Sequence, residues 1–137
     1  MAIVLDDVAT YLQTQGIGTI GTNLFKGSLP DSPDALVALI EVGGDAPIDV
    51  LSMAAGTIKV ERPVIRVVAR AGQDDYQAAR TKAASAYQQL HGLTGQTLSG
   101  TRYLTIEARH PPFNLGRDEN GRWLSGFDAL CWKDPNA

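Results

Sequence analysis

The chain has 137 residues, which suits a single domain over residues 1–137, and 44% of them are hydrophobic, as in an ordinary globular protein. The net charge of −3 and the lack of a basic run argue against a protein that grips nucleic acid across a broad basic face. One cysteine excludes an internal disulfide framework, and with two histidines it leaves no structural zinc set, so no cofactor or metal is expected.

The first predicted element is a helix over residues 5–15. Its apolar residues recur at three- and four-residue spacing, at Leu5, Val8 and Leu12. Two acids lie in its first turn, and Gly16 is a natural stop. The N-terminus lacks a signal-peptide pattern, and no apolar run could span a bilayer, so we expect a soluble protein made inside the cell, with no membrane contact.

The next segment, GIGTIG, has the glycine spacing of a dinucleotide-binding turn. It follows a helix and leads into a strand, whereas a dinucleotide site requires the reverse order. The pattern therefore predicts a turn. A short strand is predicted to end before Pro30, and the two prolines of LPDSPD interrupt regular structure.

Two strands are predicted in the middle of the chain. Residues 35–42, ALVALIEV, have the length and composition of a buried central strand. Residues 43–57, GGDAPIDVLSMAAGT, are predicted to form a long connection. In the strand that follows, over residues 58–71, one face should carry Ile65, Val67 and Ala69 and the more exposed face Arg66, Val68 and Arg70.

The second helix is predicted from Asp74 to Leu90, with Asp74 as N-cap and Gln77 completing a capping box. Its apolar stripe consists of Tyr76, Ala79, Ala83, Tyr87 and Leu90. Gly92 and Gly95 should end it. We expect the aromatic members of this stripe, together with Trp123 and Phe127, to lie in the core.

Two final strands complete the predicted elements. In residues 101–109, alternation places Leu104, Ile106 and Ala108 on one side and Tyr103, Thr105 and Glu107 on the other. In residues 123–132 it places Trp123, Phe127, Ala129 and Cys131 on one face, which predicts a small core side chain for the cysteine. The order of elements favours an α+β fold, a mostly antiparallel sheet with two helices packed on one face.

The most chemically varied segment is HPPFNLGRDENGR, residues 110–122. A calcium loop starting at Asp118 fails, because Trp123 and Ala129 occupy the positions that need glycine and glutamate. His110, Asp118 and Glu119 could transfer protons, but no activated nucleophile accompanies them. The favoured interpretation is a proline-stiffened hairpin arm.

That arm is expected to turn at Asn120-Gly121, a dipeptide that favours positive φ. Its charged residues would be solvated, and Phe113 and Leu115 would either anchor the arm to its own core or contact another chain.

Three short segments stand in a recognisable order: LPDSPD, the ERP before a strand, and LGRDENGR before an aromatic final strand. From about Leu29 to Phe127 the chain resembles the minor capsid or tail-terminator-like head–tail joining proteins of long-tailed phages. The 43–57 segment departs from the pattern, so no contacts are assigned there.

The resemblance implies an α+β subunit of a homo-oligomeric, hexameric ring without cofactor, metal or catalytic residues. Such a ring caps the tail tube protein at the head–tail junction of the virion, after assembly in the host cytoplasm, and docks to the head connector or stopper protein. DNA passes through it without sequence-specific binding. Two alternatives remain: a head-completion or stopper protein on the connector side, and a small enzyme or ligand-binding domain using His110, Asp118 and Glu119.

The candidate interface residues lie on the predicted strand after the long connection and on the hairpin arm. Arg62, Arg66 and Arg70 are expected to project from the strand, where Arg62 and Arg66, with Glu61 beside them, could form ion pairs between subunits or face the lumen. The arm contributes Phe113, Leu115, Arg117, Asp118 and Arg122.

Overall fold

The computed structural model describes residues 3–49, 59–73 and 75–134. In chain order its elements are α1 (Val4–Thr14), β1 (Leu24–Lys26), β2 (Leu36–Asp49), β3 (Lys59–Gln73), α2 (Tyr76–Leu90), β4 (Leu93–Leu98), β5 (Thr101–Ala108), β6 (Phe113–Arg117) and β7 (Arg122–Lys133). Neither helix in these ranges has the length and apolar content needed to cross a membrane.

The strands form one sheet with the order β1-β2-β3-β7-β5-β4, and β6 pairs with β7 outside this order. The parallel pair is β1 with β2, and the other pairs are antiparallel. Both helices cover the same face, because their buried residues form one cluster with inward-facing residues of β3 and β7. The predicted α+β class, with a mostly antiparallel sheet and both helices on one face, is confirmed.

Small side chains bring α2 close to the sheet. Ala79, Ala83 and Ala86 are fully buried, and Tyr87 meets the buried Phe127 edge to face with ring centroids 5.5 Å apart. Cys131 lies in the same core, as predicted, and burial raises the pKa of its thiol to about 12. The inward-facing residues of β3, Ile65, Val67 and Ala69, are also fully buried, as predicted.

Helix α2 begins one residue later than predicted. Asp75 is its N-cap, and the Asp75 carboxylate accepts a hydrogen bond from the Ala78 N–H at 3.1 Å. The predicted cap, Asp74, lies outside the described residues, and the capping box with Gln77 is wrong. Both neighbouring acids satisfy the local preference for an N-cap, so the sequence pattern alone does not distinguish between them.

Part of the predicted 43–57 connection is strand. Residues 43–49 continue β2 and pair with β3, with register irregularities after Glu41 and after Asp45. At Gly44 a Cβ atom would collide with the Arg62 carbonyl oxygen, so glycine permits the close pairing. Residues 50–57, the rest of the predicted connection, lie outside the described residues.

Strand β4 was not predicted, because glycine and polar residues give it a weak strand signal. It follows α2 directly and pairs antiparallel with β5. Ser99 and Gly100 both have positive φ, which is the requirement of a two-residue type I′ hairpin turn. Pairing with β5 therefore determines β4, rather than its own pattern of hydrophobicity.

The faces of β5 differ from the prediction. Tyr103 is buried and Leu104 is exposed, because the register of β5 with β7 shifts between Tyr103 and Thr105. Beyond the shift, Ile106 points into the core as predicted. The Tyr103 hydroxyl donates to the buried Asp7 carboxylate of α1 at 2.6 Å, and burial with this bond raises the pKa of Tyr103. A β-bulge thus reverses the alternation read from the sequence.

The two strands before the last one share an edge of β7. Strand β6 pairs with the first part of β7 and β5 pairs with the last part, so β5 and β6 lie end to end along the same edge of β7. Between them lie residues 109–112, where the Arg109 N–H still donates to the Asp128 carbonyl at 2.8 Å. The predicted arm is therefore half of a β-hairpin and contains a strand of its own.

Candidate assembly surface

The sheet face opposite the helices carries a row of alternate residues from β3. Because neighbouring strand residues point to opposite faces, the burial of Ile65, Val67 and Ala69 under the helices sends Arg62, Arg66 and Arg70 to the other face. The even-numbered residues of β7 point the same way. We call this surface the helix-free face, and it contains all three predicted strand arginines.

Arg66 pairs within its own chain on this face. Its guanidinium donates two hydrogen bonds to the Asp128 carboxylate, from Nε at 2.8 Å and from Nη2 at 3.3 Å. The His110 Nε2 lies 3.8 Å from the same carboxylate. Arg66 therefore forms an ion pair inside the subunit, and the pair remains accessible at the surface.

Arg62 lies four residues before Arg66 in the same row. Its guanidinium is 5.3 Å from the centre of the Trp132 ring and 3.9 Å from the Asp45 carboxylate, which Arg109 also contacts at 3.1 Å. The stems of such arginines cover apolar sheet residues while their heads reach solvent. An interface role for Arg62 and Arg66 stays a prediction.

Arg70 is buried, so the expectation that it projects to solvent is wrong. Only 2% of its surface is exposed. Its guanidinium donates to three backbone carbonyls of one loop: from Nε to Asp34 at 3.0 Å, and from Nη2 to Pro30 at 2.7 Å and Pro33 at 2.6 Å. Alternation gives the correct face for this residue, but the loop that returns over it removes it from solvent.

Arg122 is the second buried arginine, at 5% exposure, and its prediction as a solvated charge is also wrong. It donates to the Asp118 carboxylate at 2.8 Å, to the Asp31 carbonyl at 2.6 Å and carboxylate at 2.7 Å, and to the Asp34 carboxylate at 3.0 Å. Arg122 therefore connects the loop over Arg70 to the β6–β7 turn. We call Arg70 and Arg122 the arginine pair.

The β6–β7 turn itself forms as predicted. The Gly121 N–H donates to the Asp118 carbonyl at 3.0 Å, and Gly121 has φ of 76°. The Asp118 carboxylate also accepts from the backbone N–H groups of Asn120 and Arg122. Since Arg122 and backbone donors surround Asp118, this carboxylate stabilises the turn.

Two carboxylates of this surface have lowered pKa values. Burial would raise the pKa of Asp118, but hydrogen bonds from the backbone and guanidinium of Arg122 outweigh it. For Asp128, the hydrogen bond from Arg66 is the main cause of the lowered pKa. Both groups therefore stay ionised in the folded protein at a pH where the unfolded chain takes up protons.

Acidification is accordingly expected to lower the free energy of unfolding as the pH falls below the usual carboxyl pKa of 3.8. The contribution of these groups is complete above that pH and is lost as the pH falls through their lower folded-state pKa values. Urea unfolding measured from about pH 5 to about pH 2 tests this. An Asp128→Asn variant should show a flatter pH dependence, and an unchanged slope would contradict the assignment.

The two apolar residues of the arm have different environments. Leu115 is half-buried and lies over Gly126, with its Cδ1 3.1 Å from the position that a Cβ atom of residue 126 would take. Phe113 is 48% exposed and stacks edge to face with His110, with ring centroids 4.9 Å apart. Leu115 therefore anchors the arm to its own sheet, and Phe113 is available for contact with another chain.

A second exposed group lies on the helix side of the same end of β7. Tyr76, predicted as core, is 45% exposed and meets the Trp123 ring edge to face at 5.3 Å. The Arg117 guanidinium lies 5.1 Å from the centre of the Trp123 ring. Arg80 is half-buried one turn after Tyr76. We call Tyr76, Arg80, Arg117 and Trp123 the aromatic corner.

The residues of the enzyme alternative are not brought together. His110 lies before β6, next to Asp128, whereas Asp118 lies after β6 and is bonded to Arg122. The five residues of β6 separate them by roughly 15 Å. Within the described ranges no three His, Cys, Asp or Glu side chains form a group that could hold a metal ion.

Several residues of this surface were missed at the sequence level. Asp31 and Asp34 were treated only as part of a proline turn, although both carboxylates accept hydrogen bonds from the buried Arg122. Asp45, Arg109 and Asp128 have no local signal, because the Arg109–Asp45 and Arg66–Asp128 ion pairs join residues 64 and 62 positions apart.

Comparison with known proteins gives a match along most of the chain. The family model described as "Bacteriophage tail terminator protein" matches residues 11–131. The chain belongs to this family. It is therefore a structural tail protein of a phage and a component of the virion, and the family is not one of enzymes. Among proteins with curated descriptions, none matches this tail terminator family member in sequence.

Solved structures share the fold of this tail terminator family member. A chain of the "Virion of native gene transfer agent (GTA) particle" is similar with a TM-score of 0.66 and 14% identity, covering 96% of this chain and 94% of that one. A second solved chain has a TM-score of 0.56 and 13% identity, covering 93% and 88%. At these identities the likeness concerns the fold alone.

Proposed function

We propose that this protein forms a hexameric ring that caps the finished tail tube, stops its polymerisation and presents a surface to the head. The observation that carries the proposal is the family match over residues 11–131. The gene transfer agent neighbour is itself part of a virion particle, which is consistent with a structural role. The ring would stand at the head–tail junction, and each copy would be a single domain over residues 1–137.

The surface described above supports an assembly role. Exposed Phe113, Tyr76 and Arg117 are of the residue types that are enriched at protein–protein contacts. Arginine–carboxylate pairs on the helix-free face can exchange partners with a neighbouring copy. The net charge of −3 would let DNA slide through the ring, because a strongly basic lumen would retain it.

The test is to add the purified protein to growing tail tubes and to examine them by electron microscopy. We expect a ring at one end of each tube and a narrow distribution of tube lengths, whereas tubes without the protein should continue to grow. The mass of complexes released from the tubes gives the number of subunits. Tubes that stay uncapped at saturating protein would refute the proposal.

A pull-down with tail tube protein and with head connector protein as separate baits distinguishes a terminator from a connector-side stopper. A terminator should retain the tube protein, and a stopper only the connector protein. A structural ring uses no acid–base set, so alanine at His110 and Glu119 should leave capping intact.

A further inference from the structure

The β6–β7 turn contains the one asparagine of this sequence that precedes a glycine. Asn120 is followed by Gly121, whereas the asparagines at positions 23, 114 and 136 precede leucine or alanine. Asn-Gly pairs are prone to deamidation, because a glycine has no side chain to shield its backbone nitrogen from the asparagine side chain. Asn120 is also exposed to solvent. The turn therefore combines an accessible side-chain amide with the least hindered neighbour.

Deamidation begins when the backbone nitrogen of the following residue attacks the side-chain amide. In this turn the Gly121 nitrogen would form a bond to the Asn120 Cγ atom and give up its proton to water. The bond from Cγ to Nδ2 would break, and Nδ2 would take up a proton and leave as ammonia. Water then opens the five-membered succinimide, which leaves aspartate or isoaspartate at position 120. Water is the co-reactant, and no oxidation or reduction takes place.

The folded chain holds both reacting groups in hydrogen bonds. The Gly121 N–H, the attacking group, donates to the Asp118 carbonyl at 3.0 Å. The Asn120 Nδ2, the leaving group, donates to the Asp31 carboxylate at 3.0 Å across 89 residues of sequence. The reaction requires the Asn120 side chain to turn toward Gly121 and the Gly121 nitrogen to lose its hydrogen. Both hydrogen bonds must therefore break before the attack.

The backbone of Asn120 is held as well. Its N–H donates to the Asp118 carboxylate at 3.0 Å, and its carbonyl accepts a hydrogen bond from the Gln73 side chain at 2.7 Å. Asn120 thus has hydrogen bonds at its backbone N–H, its carbonyl and its side chain. A reaction between neighbouring groups needs a specific approach of the two atoms, and these bonds hold Asn120 away from the freedom to reach it.

We propose that Asn120 is a deamidation site restrained by the fold, and that the Asp31 carboxylate is the group that restrains it. The Asp31 carboxylate is positioned by the buried Arg122, whose Nη2 donates to the same oxygen at 2.7 Å. The buried guanidinium therefore fixes the acceptor of the Asn120 side chain. This inference goes beyond the proposed ring and does not depend on it.

The modification would reverse the contact between the turn and the loop of residues 30–35. A carboxylate at position 120 has no hydrogen to donate to Asp31, and it would lie beside the carboxylates of Asp31 and Asp118. Like charges at such positions repel each other. The loop would therefore lose one of its bonds to the β6–β7 turn. Because the protein is a virion component, which is not replaced after assembly, even a slow reaction accumulates.

Peptide mapping by mass spectrometry, after incubation in mildly alkaline buffer, tests the restraint. Trypsin releases residues 118–122 with Asn120 and residues 110–117 with Asn114, which precedes leucine and is the internal control. We expect Asn120 of the folded protein to deamidate at least about tenfold more slowly than in the same protein unfolded in guanidinium chloride, since two hydrogen bonds must break. Asn114 should stay largely unmodified in both. Equal rates at Asn120 in the folded and unfolded chains would overturn the proposal.

Variants of the loop test the role of Asp31. Asp31→Ala should speed the deamidation of Asn120 in the folded protein roughly fivefold, and Asp31→Asn, which keeps an acceptor oxygen, should restore most of the restraint. Asp34→Ala is the matched control, because the Asp34 carboxylate also accepts from Arg122, at 3.0 Å, whereas the Asn120 side chain donates to Asp31. Its rate should stay within about twofold of that of the unmodified protein.

The incubation temperature is chosen so that urea unfolding curves show all the variants to be fully folded. A faster reaction in Asp31→Ala then comes from the lost hydrogen bond rather than from unfolded chains. An unchanged rate in Asp31→Ala, or an equal acceleration in Asp34→Ala, would overturn the role assigned to Asp31.

Discussion

Replacing Arg70 with methionine is expected to lower the free energy of unfolding by about 3 kcal/mol. The guanidinium donates to the carbonyls of Pro30, Pro33 and Asp34, and hydrogen bonds to a charged group are worth more than neutral ones. Methionine keeps much of the apolar stem of arginine, so the loss of stability measures the contribution of the guanidinium group. Urea unfolding followed by circular dichroism measures the change.

Arg66 provides the matched control for this variant. It lies four residues earlier on the same face of β3, but its side chain is 41% exposed and pairs with Asp128 at the surface. Arg66→Met should therefore lower the free energy of unfolding by less than about 1 kcal/mol. Equal losses of stability in the two variants would contradict the role assigned to Arg70. Limited proteolysis should in addition cut the chain within residues 30–35 faster in Arg70→Met alone.

Alanine at Gly126 is expected to destabilise the protein by about 3 kcal/mol. A Cβ atom there would collide with the Val67 carbonyl oxygen of the neighbouring central strand and would press on Leu115 of the arm. Because β3 and β7 form the middle of the sheet, relief requires the two strands to separate or the arm to lift. Thermal and urea unfolding measure the loss.

Gly72 gives the control for this substitution. It lies in β3 and has no positive φ, and among the described residues beyond its chain neighbours no heavy atom comes within 4 Å of the place that a Cβ atom would take. Gly72→Ala should leave the stability unchanged or raise it by up to about 1 kcal/mol, since alanine restricts the unfolded chain. A Gly126→Ala protein as stable as Gly72→Ala would refute the close approach of β7 to β3.

The arginine pair connects stability to assembly. Arg70→Met should loosen the loop of residues 30–35, and where this loop contacts another subunit of the proposed ring it must first be ordered again. Capping of tubes should then require a higher protein concentration even at temperatures where the variant is fully folded. The Gly126→Ala substitution displaces the arm instead. Its loss of capping should therefore come from the displacement of Phe113 and Leu115.

The periodicity of the chain was enough to predict α1, α2, β2, β3, β5 and β7, and with them the α+β class. Helix and strand periods depend on residues close together in sequence, and a stripe of alanines or an alternation of valine and arginine is visible there. The turn at Gly121 was also predictable, since positive φ is a property of one residue. The resemblance to head–tail joining proteins, carried by short motifs, led to the family that the comparison then established.

The partners of individual side chains required the folded chain. Arg66 and Arg70 occupy equivalent places in one alternating strand, yet Arg70 is buried because a loop 36 residues earlier in the sequence returns over it. Arg122 meets Asp31 across 91 residues, and a β-bulge in β5 exchanges the exposures of Tyr103 and Leu104. Such outcomes depend on which distant backbone segments meet in the folded chain. Burial and long-range hydrogen bonding are properties of the tertiary structure, so a local sequence pattern cannot predict them.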